Sequence, residues 1–114
     1  MKDTDYRAMQ EIVAYIYAHL DDDLSIKTLA ARFGVNYSTL RRRFQTVTGM
    51  TLGHYVMKMR MECAAEDLLF GESVTDVCAG CNFESRASFN KAFKRVHGVC
   101  PRDYKAAHGI TATP

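Results

Sequence analysis

The run Phe44-Gln45-Thr46-Val47-Thr48-Gly49 returns, in pattern, as Phe93-Lys94-Arg95-Val96-His97-Gly98, 49 residues later. Leu40 and Tyr55 meet Phe89 and Tyr104 at the same offset. Upstream the offset falls to 48, so that Leu29 meets Val77 and Gly34 meets Asn82. The second copy therefore carries one inserted residue, between a turn and the helix that follows it. In a chain of 114 residues, a repeat this long points to two copies of one small unit. What that unit does is most of what the chain does.

The spacing of apolar residues makes the unit helical. Tyr6, Met9, Val13, Ile16 and Leu20, flanked by Ile12 and Tyr17, predict an amphipathic helix over about residues 5–19. Asp21-Asp22-Asp23 is a solvated break, and Asp22 or Asp23 suits the positive end of the next helix. Ser25 reads as the N-cap of a short helix through Phe33, stopped by Gly34. Asn36 or Ser38 caps a longer helix to about Thr48, stopped by Gly49. A short helix, a tight turn and a longer helix make the helix-turn-helix pattern. A long helix follows from about Leu52 to Phe70, with Tyr55, Met59, Ala64 and Leu68 on its buried side and Gly71 at its end. Then the unit recurs. Val74 to Cys81 is the short helix, and Asn82 takes the place of Gly34, since Asn tolerates the left-handed conformation. Ser85 caps a helix through Val96, stopped by Gly98, and Pro101 opens a last short helix to about Ala107. Residues 109–114 are expected to fray. The expected fold class is all-α, with seven helices and no strand.

The second helix of each unit has a buried stripe and a polar face. With Leu40 at 0° on a helical wheel, Phe44 and Val47 fall near about 40° and −20°, whereas Ser38, Arg42 and Gln45 fall near about 160°, 200° and 140°. Arg41 lies on the flank and Arg43 closer to the core side. In the second copy Phe89, Phe93 and Val96 make the stripe. Ala87, Lys91 and Lys94 face away, Asn90 flanks them and Arg86 stands in the first turn. A helix fits the DNA major groove. There Arg can grip guanine with two hydrogen bonds, Asn can pair with adenine, and Lys or Arg can bind phosphate. Exposed cations on one amphipathic helix ordinarily mark only a solvated face. Two such helices in the same slot, each behind a short helix and a turn, point to nucleic-acid readout.

The charge distribution agrees. Residues 1–24 carry a net −4, while residues 25–114 carry 13 Lys or Arg against 7 Asp or Glu, so the repeated part is the basic part. No apolar run approaches the ~18 residues of a membrane span, and the N-terminus lacks the charged-then-apolar order of a signal peptide. Four cysteines without any mark of secretion read as reduced thiols in a cytoplasm. Cys78-Ala79-Gly80-Cys81 is a single CxxC; with no second pair it reads as core packing rather than a zinc or redox site. His19, His54, His97 and His108 lack ligand spacing, and Met57, Met59 and Met61 read as helix packing. No nucleophile with a base, paired carboxylates or phosphate loop is present, so neither catalysis nor a cofactor or metal is expected.

Several segments together carry a resemblance. They are Leu29-Ala30-Ala31-Arg32-Phe33-Gly34-Val35, then Leu40-Arg41-Arg42-Arg43-Phe44 and Gly49, then Tyr55, Arg60, Ala64 and Leu68-Leu69. In the second copy they are Val77 to Phe83, Ser85, Phe89, Phe93-Lys94, Gly98, Pro101 and Tyr104-Lys105. Over roughly residues 8–106 the chain resembles the DNA-binding domain of the AraC/XylS transcriptional regulators. The resemblance implies two helix-turn-helix units joined by one long helix, with two recognition helices in successive major grooves about one turn (~34 Å) apart. It places base reading on Ser38, Arg41 and Arg42 in the first recognition helix, and on Arg86, Ala87, Asn90 and Lys91 in the second. Lys94 and backbone N–H groups near the helix starts suit phosphates. Gln45 joins the candidate set from the wheel. Three departures are Asn82 for the usual glycine, Ala87 with only a methyl to offer a thymine, and Cys100 where a small hydroxyl residue is common.

The expected layout is a first helix-turn-helix subdomain over 1–51, a linker helix over 52–70, a second subdomain over 71–108 and a tail over 109–114. The expected function is sequence-specific binding of double-stranded DNA by a bacterial cytoplasmic regulator, without membrane association. The alternative is a protein-interaction module that meets RNA polymerase or a partner regulatory domain and binds DNA weakly. Most members of the family carry a separate effector-binding or dimerisation domain; this chain is expected to be either a stand-alone member or a piece of a longer regulator, whose further domain would then follow residue 114.

Overall fold

Side-chain caps mark where the paired helices of each copy begin, and they repeat. Ser25 Oγ accepts from the Thr28 N–H at 3.2 Å, and Ser73 Oγ accepts from the Asp76 N–H at 3.1 Å. Asn36 Oδ1 accepts from the Thr39 N–H at 3.2 Å, and Ser85 Oγ accepts from the Ser88 N–H at 3.1 Å. The first pair of caps is 48 residues apart and the second 49, which places the inserted residue inside the second turn. Asn36, not Ser38, is the cap of the first recognition helix. Asp23 supports the first cap, its carboxylate accepting from the Ser25 N–H and the Thr28 hydroxyl, both at 3.1 Å.

The computed structural model describes residues 3–81 and 83–108, apart from the side chains of residues 3–5. Asn82 and residues 109–114, for which a left-handed turn and fraying are expected, lie outside the described residues. Among the described residues there are seven helices and no strand: α1 (Asp3–Ala18), α2 (Ile26–Phe33), α3 (Tyr37–Thr48), α4 (Leu52–Leu69), α5 (Val74–Gly80), α6 (Arg86–His97) and α7 (Pro101–His108). They fall into two compact units, Met1–Met57 and Lys58–Pro114, so α4 contributes residues to both. No helix among the described residues is long and apolar enough to cross a membrane.

In the first unit Met9, Ile12 and Ile16 of α1 pack with Leu24, Leu29, Ala30, Leu40, Phe44, Leu52 and Val56. Ile12, expected on the flank, is fully buried, while Tyr6 and Tyr17 are 53% and 60% exposed. The α1 stripe is thus narrower than the apolar spacing implied; a tyrosine at its border can leave its hydroxyl in water. Tyr15 closes the α1–α2 contact: its ring meets Phe33 edge-on at 5.6 Å, and the Arg32 guanidinium lies 4.5 Å above it. In the second unit the buried set is Met61, Ala64, Ala65, Leu68, Val77, Cys78, Cys81, Phe89, Phe93 and Pro101. The buried residues of α4 are therefore Leu52 and Val56 for one core and Met61, Ala64, Ala65 and Leu68 for the other. Tyr55 and Met59 are only half-buried, and Phe70 lies beyond the helix and is exposed.

The repeat is also one of packing. Phe44 meets Tyr55 edge-on at 5.2 Å, and Phe93 meets Tyr104 edge-on at 5.5 Å. Leu40, Phe44, Phe89 and Phe93 are fully buried, and each contributes about 1.5–3 kcal/mol. Val47 and Val96, expected in the same stripe, are each 38% exposed. They sit in the last turn of their helices, where the stripe runs past the core. Val47 borders a shallow groove of about 280 Å³ with Tyr6, Met9, Gln10, Val13 and Ala14.

Candidate nucleic-acid interface

α3 and α6 are each 12 residues long and start 49 residues apart. Each ends on a left-handed glycine: Gly49 has φ 75° and Gly98 φ 81°, and each N–H donates back to the carbonyl four residues earlier at 2.8 Å. Gly34, also left-handed at φ 65°, makes the turn into α3. Val35 and Phe83 then follow the two turns in register. Val35 packs on the first core, and the Phe83 ring meets Phe89 edge-on at 5.6 Å. Each recognition helix is thus fixed at both ends and pinned along one side.

The opposite sides carry the candidate residues. Ser38, Arg41, Arg42 and Gln45 are exposed on α3, and Arg43 is half-buried. Arg86, Ala87, Lys91 and Lys94 are exposed on α6, and Asn90 is half-buried. In register, the pairs are Ser38 with Ala87, Arg41 with Asn90, Arg42 with Lys91 and Gln45 with Lys94. The two helices share a frame and differ at every outward position. Tyr37, half exposed at the start of α3, stands in register with Arg86 and belongs with the candidates. The repeat offset alone would have found it. Thr75 of α5 was equally unmarked in the sequence, yet its Oγ1 accepts from Arg86 Nη1 at 2.9 Å.

The residues that could suggest other chemistry are occupied structurally. None of the four cysteines is in a disulfide. Cys78 and Cys81 are buried; their thiols point to the Ser85 carbonyl at 3.9 Å and the Arg60 carbonyl at 3.8 Å. Burial, followed by the nearby Asp67 charge, pushes the Cys81 thiol up to about 11, against a smaller opposing effect of Arg60. A thiol so held is a poor nucleophile and a poor metal ligand at neutral pH. Among the described residues no group of three or more His, Cys, Asp or Glu could hold a metal ion. His97 Nε2 lies 2.9 Å from the Met61 carbonyl. His19 stacks on Tyr15 at 4.0 Å.

Comparison with known proteins places this geometry. A family model described as a helix-turn-helix domain matches residues 29–107. The regulatory protein SoxS of Escherichia coli K12 is 32% identical over 100 residues, covering 87% of this chain and 94% of SoxS. Among solved structures, the C-terminal domain of AraT, a response regulator from Geobacillus stearothermophilus, superposes with a TM-score of 0.84 at 28% identity, covering 99% of this chain and 92% of that one. The DNA-binding domain of the global transcriptional factor AdpA, solved in complex with a target DNA, has a TM-score of 0.78 at 32% identity, over 88% of this chain and 91% of that one.

Proposed function

The chain belongs to the AraC/XylS family of helix-turn-helix DNA-binding domains, and from that premise we propose that it reads double-stranded DNA at two points as part of a bacterial transcription regulator. The observation that carries this reading is the pair of 12-residue helices, alike in caps and core contacts and unlike on their exposed faces. α3 offers Ser38, Arg41, Arg42 and Gln45 to one major groove, and α6 offers Ala87, Asn90, Lys91 and Lys94 to the next. Arg42 and Arg41 suit guanine, Asn90 suits adenine, and the Ala87 methyl suits a thymine methyl. The N-termini of the capped helices and Lys94 suit phosphates. Bound in this way in the cytoplasm, the module would act by recruiting or excluding RNA polymerase at a neighbouring promoter. The family is one of transcription regulators and not an enzyme class.

The test starts from selection of bound sequences out of random DNA at stated salt, which should return two unlike blocks about one helical turn apart. On the selected site Arg42→Ala should cost about 1–3 kcal/mol and relax preference at one or two base pairs. Loss that is uniform across sequences would reassign Arg42 to a phosphate. Weak binding with a shallow salt dependence would instead favour a protein-interaction module.

A further inference from the structure

The guanidinium of Arg86 is held by a neighbouring helix. Its Nη1 donates to Thr75 Oγ1 at 2.9 Å, and both residues are exposed. Thr75 is the second residue of α5, and Arg86 is the first of α6. With Phe89 at 0° on a helical wheel, Arg86 falls near about 60°, beside the buried Phe93 near about 40°, while Ala87, Lys91 and Lys94 fall near about 160°, 200° and 140°. Arg86 therefore reaches along the α5 side of its helix and leaves the face that Lys91 occupies. In a helix-turn-helix the second helix lies in the groove and the first crosses the sugar–phosphate backbone. A guanidinium drawn to the first helix is drawn to the backbone. The first unit has Lys27 and Tyr37 in the corresponding register, so the pair is particular to the second unit.

We propose that Thr75 and Arg86 form a phosphate-binding pair, in which Arg86 contacts a DNA backbone phosphate and Thr75 is a positioning residue that aims it. The proposal rests on the DNA-binding reading above, and it changes the base-reading role that the family resemblance gives Arg86. Tethered through Nη1, the guanidinium keeps Nε and Nη2 as an edge that matches two phosphate oxygens. The tether also removes side-chain freedom before DNA arrives, so affinity rises without any gain in base information.

The test uses the full chain, its selected DNA site and the single-base-pair variants of that site, with fluorescence anisotropy over a series of salt concentrations. Wild-type protein should bind with a steep salt dependence and a clear ranking of sites. Arg86→Ala should weaken every site by about tenfold, make the slope of log K against log salt shallower by about 1, and leave the ranking intact. Thr75→Val should weaken every site about threefold, Thr75→Ser should restore binding, and Thr75→Val should have no further effect once Arg86 is alanine. Unchanged helical circular dichroism in each variant separates these effects from misfolding. The proposal is overturned if Arg86→Ala flattens preference at one base pair while the salt slope stays, or if Thr75→Val acts equally with and without Arg86. A wild-type protein with no steep salt dependence would overturn the DNA-binding reading itself, and this pairing with it.

Discussion

Cys81 shows how far a residue's surroundings can remove the chemistry its motif invites. Its thiol is buried beside α4, and burial first, then Asp67, raise it from the ordinary 9.0 to about 11. Between these values the unfolded chain has lost the proton and the folded one keeps it, so stability is unaffected below about pH 9 and declines from there towards pH 11. The urea midpoint of wild type should therefore fall more steeply above pH 9 than that of Cys81→Ala; parallel curves would mean the thiol ionises as it does in water. At pH 7.5 a thiol reagent should modify the half-buried Cys63 and Cys100 well before Cys78 and Cys81. The CxxC spacing was open to a packing reading from the sequence, because no second pair accompanies it. The bond from Arg86 to Thr75 was not open to such a reading. It joins residues 11 apart across a turn, and no periodicity links them.

At the scale of elements the sequence was legible wherever a local rule sets the outcome. Ser25, Ser85, Gly34, Gly49, Gly98 and Pro101 each stand where a cap, a left-handed turn or a first helical position requires them, and the helix bounds follow. The wheel was less reliable at helix ends, because burial depends on what lies opposite. Val47 and Val96 have the angle of core residues and yet are partly exposed, and Ile12, expected on the flank, is fully buried while Tyr6, expected in the stripe, is exposed. The glycine caps allow a clean test. A Cβ at Gly49 or Gly98 would meet nothing within 4 Å, so replacement by alanine carries the backbone strain alone. Gly49→Ala and Gly98→Ala should each cost about 1–2 kcal/mol in urea denaturation, with the asparagine variants milder. A much larger loss at either site would show that packing, not conformation, selects the glycine.

At the scale of the whole molecule, the chain combines two unlike readers where a homodimer would use one reader twice. If these faces contact DNA as proposed, an asymmetric site is expected, since the α3 face of Ser38, Arg41, Arg42 and Gln45 and the α6 face of Ala87, Asn90, Lys91 and Lys94 present different donors and different side-chain lengths. The overall charge of +2 understates the attraction to DNA, because the first 24 positions carry a net −4 and the remainder carries +6. If both helices read one face of the duplex, the distance between their two DNA blocks is as specific as the blocks themselves. Inserting about 5 base pairs between the blocks turns one of them by half a helical turn, to the far side of the DNA. The affinity should then drop by about 100-fold or more, to that of a site with the second block scrambled, because several base contacts worth about 1–3 kcal/mol each are lost together. On the spaced site one of the Arg42→Ala and Lys91→Ala variants should have no further effect. Retention of full affinity on that site would mean that one unit alone carries specific binding, and the repeat would then mark a shared fold without a shared task.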